Sequence, residues 1–469
     1  MSGSADAWEI ALSTHGLAVA ASVLTYVLTS RSAQARRPPS IAIAWVLGMI
    51  ALPYLALPIY VLFGRRKVVR PRPRVHAPRP PDAQHWARAL IESFDVPDAA
   101  PARVRLHPDG RAARAALLET IGAARRRLDV CTFLIGDDAL GRAVAAALIE
   151  RARAGVRVRL LIDGVGVPFL PRAERARLAA AGVALGVFSP LFARRTSGPR
   201  NLRNHRKYAI ADGRALWAGG RNFAAEYFEG DARRAAWPDL SFDVSGAVAA
   251  AAEHQFEADW RASGGAPAPA PSDPSLDDAR APAGTEPPSP GASLVQFLPS
   301  GPDQTEDTVH ALLIDACFRA ERRLLAVTPY FVPDSALESA LRLAARRGVA
   351  IDVCLPRRSN HRLADFARMR SLRALAAVGV RFHLVPRMTH AKAVVVDESL
   401  AIAGSVNLDS RSLLLNYESA FLFYGATEIE WCATWIDALR QGAHPFEPRP
   451  PGLWRDVAEG LLLTLGYQL

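Results

Sequence analysis

Two long uncharged apolar runs open the chain, and short β-branched runs alternating with amphipathic stretches follow them. Ile41 to Phe63 carries no charged residue over 23 positions. At about 1.5 Å per residue such a run covers a hydrocarbon core of roughly 30 Å, which predicts a transmembrane helix kinked at Pro53 and Pro58. Ile10 to Leu28 is also uncharged, although Ser13, Thr14 and His15 interrupt its apolar character. Asp6 and Glu9 stand ahead of it, where a signal peptide would begin with basic residues, so this run predicts a second span. Arg65, Arg66, Lys67, Arg70, Arg72, Arg74 and Arg79 follow, against Arg31, Arg36 and Arg37 between the runs. That bias places the bulk of the chain on the cytoplasmic side, and the cluster also suits anionic lipid headgroups.

Beyond Gln84 the pattern repeats. Arg125 to Asp138 (RRRLDVCTFLIGDD), an alanine-rich helix and Ala154 to Asp163 (AGVRVRLLID) are echoed by Glu321 to Asp334 (ERRLLAVTPYFVPD), a similar helix and Arg347 to Pro356 (RGVAIDVCLP). Each copy reads as strand, helix, strand, so the chain predicts two similar α/β domains packed as a pseudo-dimer. Pro71 to Gln84 and the Pro/Ala-rich stretch Ser263 to Ser293 have little to bury and read as linkers. The expected divisions are a membrane anchor at 1–70, a linker at 71–84, a first domain at 85–262, a linker at 263–293 and a second domain at 294–469.

The formal net charge of +11 favours anionic partners without choosing among nucleic acid, membrane and phosphate-bearing substrates. Cys131, Cys317, Cys354 and Cys432 lie far apart and read as buried thiols. Lysine usage says more. Of 57 basic residues only Lys67, Lys207 and Lys392 are lysine, and the last two each stand two residues after a histidine. A site that needs a compact ammonium resists exchange for a planar guanidinium.

Those lysines belong to a duplicated constellation. His205, Lys207, Asp212, Gly219, Gly220 and Asn222 in NHRKYAIADGRALWAGGRN match His390, Lys392, Asp397, Gly404, Ser405 and Asn407 in THAKAVVVDESLAIAGSVN at identical spacing. Residues two apart on a strand share a face, so each imidazole projects with its ammonium. Two ammonium groups and two amides could hold the nonbridging oxygens of a phosphodiester and offset charge gathering on them. One imidazole, neutral, could attack phosphorus while the other, charged, protonates the departing alkoxide. Glu418 and Asp239 are the candidate carboxylates to orient the rings. Asp212 and Asp397, counted with the catalytic set, also suit a turn cap. No dinucleotide fingerprint, P-loop or zinc spacing occurs, so neither cofactor nor metal is expected.

The two H-x-K-x4-D-x6-G-x2-N copies resemble the phospholipase D superfamily. More narrowly, LPIYVLFGRR at Leu57 to Arg66, NHRKYAIADG, SGPD at Ser300 to Asp303, TPYFVPD at Thr328 to Asp334 and NLDSRSLLLNYE at Asn407 to Glu418 resemble bacterial cardiolipin synthases. The resemblance implies a phosphatidyl transfer between two phosphatidylglycerol molecules that yields cardiolipin and glycerol. It implies His205 as nucleophile, His390 as acid and base, Lys207, Asn222, Lys392 and Asn407 on the phosphate, and no cofactor. The two apolar runs predict a multi-pass protein of the bacterial inner membrane, and those spans, with no interleaved base-stacking aromatics and basic clusters near the site, argue against a nucleic-acid partner; no obligatory protein partner is expected. A lipid hydrolase or other headgroup exchanger on the same residues is the alternative; a membrane-tethered nuclease and an inactive scaffold are more distant rivals.

Overall fold

The computed structural model describes residues 3–29, 39–64, 67, 85–94, 96–190, 201–232, 235–266 and 291–464. The tether at 71–84, most of the 263–293 linker, and the arginines at 31, 36, 37, 65, 66, 70, 72, 74 and 79 lie outside the described residues.

The apolar start forms three helices, α1 (Gly3–Thr29), α2 (Pro39–Ala51) and α3 (Pro53–Phe63). The run from Ile41 to Phe63, expected as one helix kinked at Pro53 and Pro58, forms two: the chain breaks at Leu52 (φ −139°, ψ 60°), where Pro53 has no N–H to continue α2 and starts a new helix instead. The resulting helices are about 20 Å and about 16 Å long, each short of a roughly 30 Å hydrocarbon core. Among the described residues no helix is long and apolar enough to cross a membrane. Tyr26, Met49 and Tyr60 pack where the three helices meet, and the Thr29 and Tyr60 hydroxyls lie 2.6 Å apart. Leu17, Leu24, Leu47 and Leu55 point outward, each more than half exposed.

After the short helix α4 (Trp86–Ile91) the first repeat runs β1 (Ala100–Leu106), α5 (Gly110–Ala123), β2 (Arg127–Thr132), α6 (Ala139–Arg153), β3 (Arg157–Asp163), α7 (Arg172–Ala180), β4 (Ala184–Phe188), β5 (Tyr208–Ala211), β6 (Ala215–Gly219), β7 (Ser241–Ser245) and α8 (Ala247–Ala262). The second runs β8 (Ser293–Ser300), α9 (Thr308–Arg319), β9 (Arg323–Val327), β10 (Phe331–Val332), α10 (Ser335–Arg346), β11 (Ala350–Pro356), α11 (Arg362–Ala376), β12 (Arg381–Val385), β13 (Ala393–Val396), β14 (Leu400–Gly404), β15 (Leu408–Asp409), α12 (Ser410–Leu414), β16 (Glu418–Phe423), α13 (Ala426–Gln441), β17 (His444–Pro445) and α14 (Leu453–Thr464). Matching aspartates start matching helices: Asp138 accepts from Gly141 N at 2.9 Å ahead of α6, and Asp334 from Leu337 N at 3.2 Å ahead of α10.

The repeats share one 15-stranded sheet in the order β17-β12-β11-β9-β13-β14-β16-β8-β1-β7-β6-β5-β2-β3-β4. Read outward from the centre, both halves follow the same order. Antiparallel pairing of β1 with β8 joins them, with Ala100 opposite Val295. The expected pair of α/β domains is therefore fused edge to edge, so each half covers the sheet edge of the other. One face carries a core continuous across the join, from Phe256 and Trp260 of α8 through Phe242 and Phe421 to Cys432 and Ile436 of α13. The opposite face is covered separately by α5 and α6 in one half and by α9, α10 and α11 in the other. All four cysteines are buried free thiols.

The turns after β5 and β13 correct one expectation about the site. Asp212 accepts from the backbone N–H groups of Arg125, Arg126 and Arg127 at 2.8–2.9 Å. Asp397 does the same for Glu321, Arg322 and Arg323 at 2.7–2.9 Å. Both adopt left-handed backbone, φ 54° and 48°, which aspartate tolerates better than most residues. Each lies five residues past its lysine, about 17 Å along the strand, so neither carboxylate reaches the histidines.

Partial burial opposes ionisation of these aspartates, but the three amides outweigh it and hold both carboxyls below the usual range. A depressed folded pKa stabilises above the ordinary value near 4 and is lost as pH falls through the folded value. Asp397→Ala is expected to lower unfolding free energy by about 1–2 kcal/mol at pH 7, with the difference from the parent shrinking below about pH 4. Denaturant melts across pH measure both effects, and the folded fraction should keep its activity.

Candidate active site

The two His-x-Lys tripeptides stand just ahead of β5 and β13, where each half reaches across the join. His205 N donates to Tyr417 O at 2.8 Å, and His390 N donates to Pro238 O at 2.8 Å. Each histidine is thus held by backbone of the opposite repeat, next to that repeat's buried carboxylate.

The ring contacts are crossed in the same way. His205 Nδ1 lies 3.1 Å and 3.3 Å from the Glu418 carboxylate oxygens, and His390 Nδ1 lies 2.8 Å from Asp239 Oδ2. Both carboxylate side chains are fully buried. A carboxylate on Nδ1 fixes the tautomer with its proton there and leaves Nε2 as the reactive nitrogen.

Strand ends bring these carboxylates in. Gly219 and Gly404 close β6 and β14 with φ 151° and 157°, and an added Cβ would meet Leu240 O at 2.3 Å or Ser419 O at 2.2 Å. Only glycine lets the neighbouring strand pass so closely. The next position differs between repeats. Ser405 Oγ donates to Glu418 at 2.5 Å, with Ser412 Oγ at 2.6 Å and Asn416 Nδ2 at 3.2 Å completing that carboxylate's partners. At Gly220 a Cβ would come within 2.3 Å of Asp239 Oδ1. The shorter aspartate is matched by a missing side chain, the longer glutamate by a serine.

Both lysines are buried beside their histidines. Lys207 Nζ donates to His205 O at 2.6 Å. Lys392 Nζ donates to His390 O and lies 2.8 Å and 3.0 Å from the two His390 ring nitrogens. Burial lowers Lys207 to about 8 and Lys392 to about 7, and the Lys207 charge adds to the effect on Lys392. Burial also lowers both imidazoles, reinforced by the nearer ammonium and opposed by the paired carboxylate, and His390 falls to about 3. Burial first, and the neighbouring lysine second, therefore favour the neutral form of both rings in the unliganded site. For Glu418 and Asp239 burial opposes ionisation, but the facing imidazoles and lysines hold both carboxyls low.

Asn222 and Asn407 are 2% and 4% exposed, and among the described residues the Oδ1 of each has no hydrogen-bond partner. A buried unpaired amide oxygen is costly and is relieved by a ligand group that donates, such as a hydroxyl, whereas a phosphate oxygen would be met by the Nδ2 end of the same amide.

Several residues at the site lie outside the duplicated spacing. Phe133 packs edge-on against His205 (5.2 Å between centroids), and Tyr227 and Trp237 flank His390 at 4.8 Å and 6.1 Å. Arg206, between His205 and Lys207, is fully buried and donates from Nε to Glu418 O at 2.9 Å. Its counterpart is Ala391, and that difference within an otherwise matched repeat was the available clue.

Two imidazoles with opposed carboxylates, two buried ammonium groups and two amides across a domain seam define a phosphodiester-processing site of the two-histidine class. Comparison with known proteins narrows it. The family model described as cardiolipin synthase, phospholipase D-like domain matches residues 117–260 and 313–440, and a phospholipase D-nuclease N-terminal model matches residues 17–65. Cardiolipin synthase A of Pseudomonas aeruginosa is 35% identical over 418 residues, covering 84% of this chain and 81% of the relative. Cardiolipin synthase A of Pseudomonas putida is 34% identical over 422 residues, covering 84% of each. The crystal structure of phosphatidylserine synthase from Haemophilus influenzae shares the fold, with a TM-score of 0.59 at 13% identity over 82% of this chain and 100% of that one. The chain belongs to the cardiolipin synthase family of the phospholipase D superfamily.

Two outcomes follow from this geometry. Glu418→Gln and Asp239→Asn each leave a ring without its anionic partner and are expected to cut kcat about 100-fold or more, with far-ultraviolet circular dichroism unchanged. Raising pH removes the lysine protons that hold an anionic substrate, so kcat/KM should fall on an alkaline limb near pH 7–8, well below an ordinary lysine. A bound phosphodiester raises both lysines, which moves the corresponding limb of kcat upward; a pH series at low and saturating substrate reads the difference.

Proposed function

We infer that this protein is a phosphatidyltransferase of the cardiolipin synthase type, which joins two phosphatidylglycerol molecules into cardiolipin and releases glycerol. The crossed pairing of each imidazole with the opposite repeat's carboxylate carries the mechanistic reading, and the family carries the substrate class.

In this reading the phosphate of the first lipid settles between Lys207 and Lys392, where its negative charge offsets the mutual repulsion of the ammonium groups. The same charge raises the basicity of the rings, so a proton can reside on His390 Nε2 once substrate is bound. His205 Nε2 attacks phosphorus, and the His205–phosphorus bond forms as the phosphorus–oxygen bond to glycerol breaks. His390 delivers its proton to the departing glycerol oxygen. Neutral His390 then takes the proton of the second phosphatidylglycerol's hydroxyl, whose oxygen displaces His205 from phosphorus. The His205 side chain is 14% exposed and that of His390 4%, which favours His205 as the ring that meets lipid first. Lys207, Lys392, Asn222 and Asn407 hold the nonbridging oxygens through both transfers.

The outward apolar faces of α1, α2 and α3 supply a membrane-facing surface. Leu453, Trp454 and Val457 of α14, 75%, 84% and 48% exposed, add a second, since indole and leucine side chains favour the interface. The basic residues after Phe63 favour the cytoplasmic leaflet of a bacterial inner membrane. Hydrolysis remains the competing outcome wherever water reaches the phosphohistidine before the second lipid.

Purified full-length protein in vesicles containing phosphatidylglycerol as the one reactive lipid is expected to form cardiolipin and free glycerol in equal amounts. Phosphatidic acid as the dominant product would instead identify a hydrolase. His205→Ala and His390→Ala should each lower turnover by about 1,000-fold or more while vesicle binding stays intact, and acid-labile label from radiolabelled lipid should be found on His205.

A further inference from the structure

Lys67, the one lysine outside the duplicated motif, occupies a built site of its own. Its side chain is 7% exposed. Nζ donates to Gly301 O at 3.0 Å, Gln304 O at 3.0 Å and Glu306 O at 3.1 Å, and lies 2.9 Å from Asp307 Oδ1. Three carbonyls and a carboxylate around one nitrogen suit the rotatable donors of an ammonium and not a planar guanidinium, which accounts for a lysine here in a chain that otherwise uses arginine. Asp307 holds the N-cap position of α9 yet makes no side-chain cap bond; its carboxylate serves Lys67 instead.

The loop that Lys67 gathers lies directly behind the His205 side of the active site. Asp303, inside that loop, accepts from Arg206 Nη2 at 3.0 Å and from Gln255 Nε2 at 2.8 Å. Arg206 Nη2 also donates to Ser300 O at 3.2 Å and Nη1 to Asp259 at 2.5 Å. Through Nε the same guanidinium holds the Glu418 carbonyl, and the Glu418 carboxylate holds His205. Ser300 pairs with Glu418 in the sheet, so the loop leaves β8 at the residue opposite that carboxylate. Lys67 follows the end of α3 by four residues, so among the described residues it links the N-terminal helices to this network. The second repeat has Ala391 in place of Arg206, so the guanidinium at the centre of this network is missing from its counterpart position.

We propose that Lys67 is a positioning residue for phosphatidyl transfer: it clamps the Gly301–Asp307 loop so that Asp303 and Arg206 set Glu418 against His205, coupling the seating of the N-terminal helices to the His205 branch of the site. The proposal rests on the transferase reading above. It acts on the first transfer and leaves lipid affinity alone.

The test uses full-length protein in phosphatidylglycerol vesicles. Lys67→Met is expected to lower kcat about tenfold or more, with KM and vesicle flotation within about twofold of the parent and an equal loss on a monomeric short-chain phosphatidylglycerol. Asp307→Asn, which keeps Lys67 and weakens its cage, should reproduce the loss in part if Lys67→Met folds poorly. Asp303→Asn should also slow the reaction, and the double variant with Lys67→Met should be no slower than the worse single, because both act through one network. Parental kcat in Lys67→Met, a loss confined to vesicles, or losses that multiply in the double variant would each overturn the assignment. A parent chain without cardiolipin or phosphatidic acid product overturns the transferase reading and this proposal together; an active parent matched by Lys67→Met overturns the proposal alone.

Discussion

The structure depends on two imidazole–carboxylate pairs exchanged across a seam. His205 belongs to the first repeat and its carboxylate to the second; His390 belongs to the second and its carboxylate to the first. Each carboxylate is fully buried, a state that requires a partner able to share its charge. Neither repeat alone supplies both members of either His205–Glu418 or His390–Asp239. The antiparallel join of β1 and β8 and the core continuous across it hold the two halves in the register that both pairs require. A structural requirement, satisfying buried charge, and a chemical one, orienting two imidazoles, are met by the same contacts.

The electrostatics of the unliganded site lean towards an anion. Lys207 and Lys392 are buried, and burial lowers both. Each imidazole is pushed towards its neutral form by burial and by the ammonium beside it. A site of buried lysines beside rings held towards neutrality favours an anionic ligand over a cationic one. Shape explains the persistence of lysine in an arginine-rich chain: a compact ammonium fits beside a ring or among three carbonyls, whereas a guanidinium would need room for its plane.

The repeats are similar in topology and unlike in support. Around Glu418 stand Ser405, Ser412, Asn416 and the carbonyl contact from Arg206, while Asp239 is met by its own neighbour Leu240 N at 2.8 Å and by close approach at Gly220. Among the described residues the His205 side is tied through Arg206 and Asp303 to the loop that Lys67 gathers, an asymmetry of support that suits two imidazoles with different tasks.

The duplicated spacing of histidine, lysine, glycine and asparagine was legible along the chain, because strand periodicity and turn length are local and set which side chains emerge together. So was the alternation of strand and helix. Asp212 and Asp397 shared the spacing but stand at the far ends of their strands, capping backbone amides; a linear pattern does not distinguish a residue that faces the site from one that closes the turn leading away. The apolar run from Ile41 to Phe63 was read as one helix because composition sums over a break that a single residue, Leu52 ahead of Pro53, decides locally. What only the tertiary structure decided is which carboxylate meets which ring. The partners are 213 and 151 residues apart in sequence, and their pairing follows from sheet register across the join, which no local preference encodes. The same holds for Lys67 and the Gly301–Asp307 loop: the sequence marked the lysine as unusual, and the fold supplied the carbonyls that made it necessary.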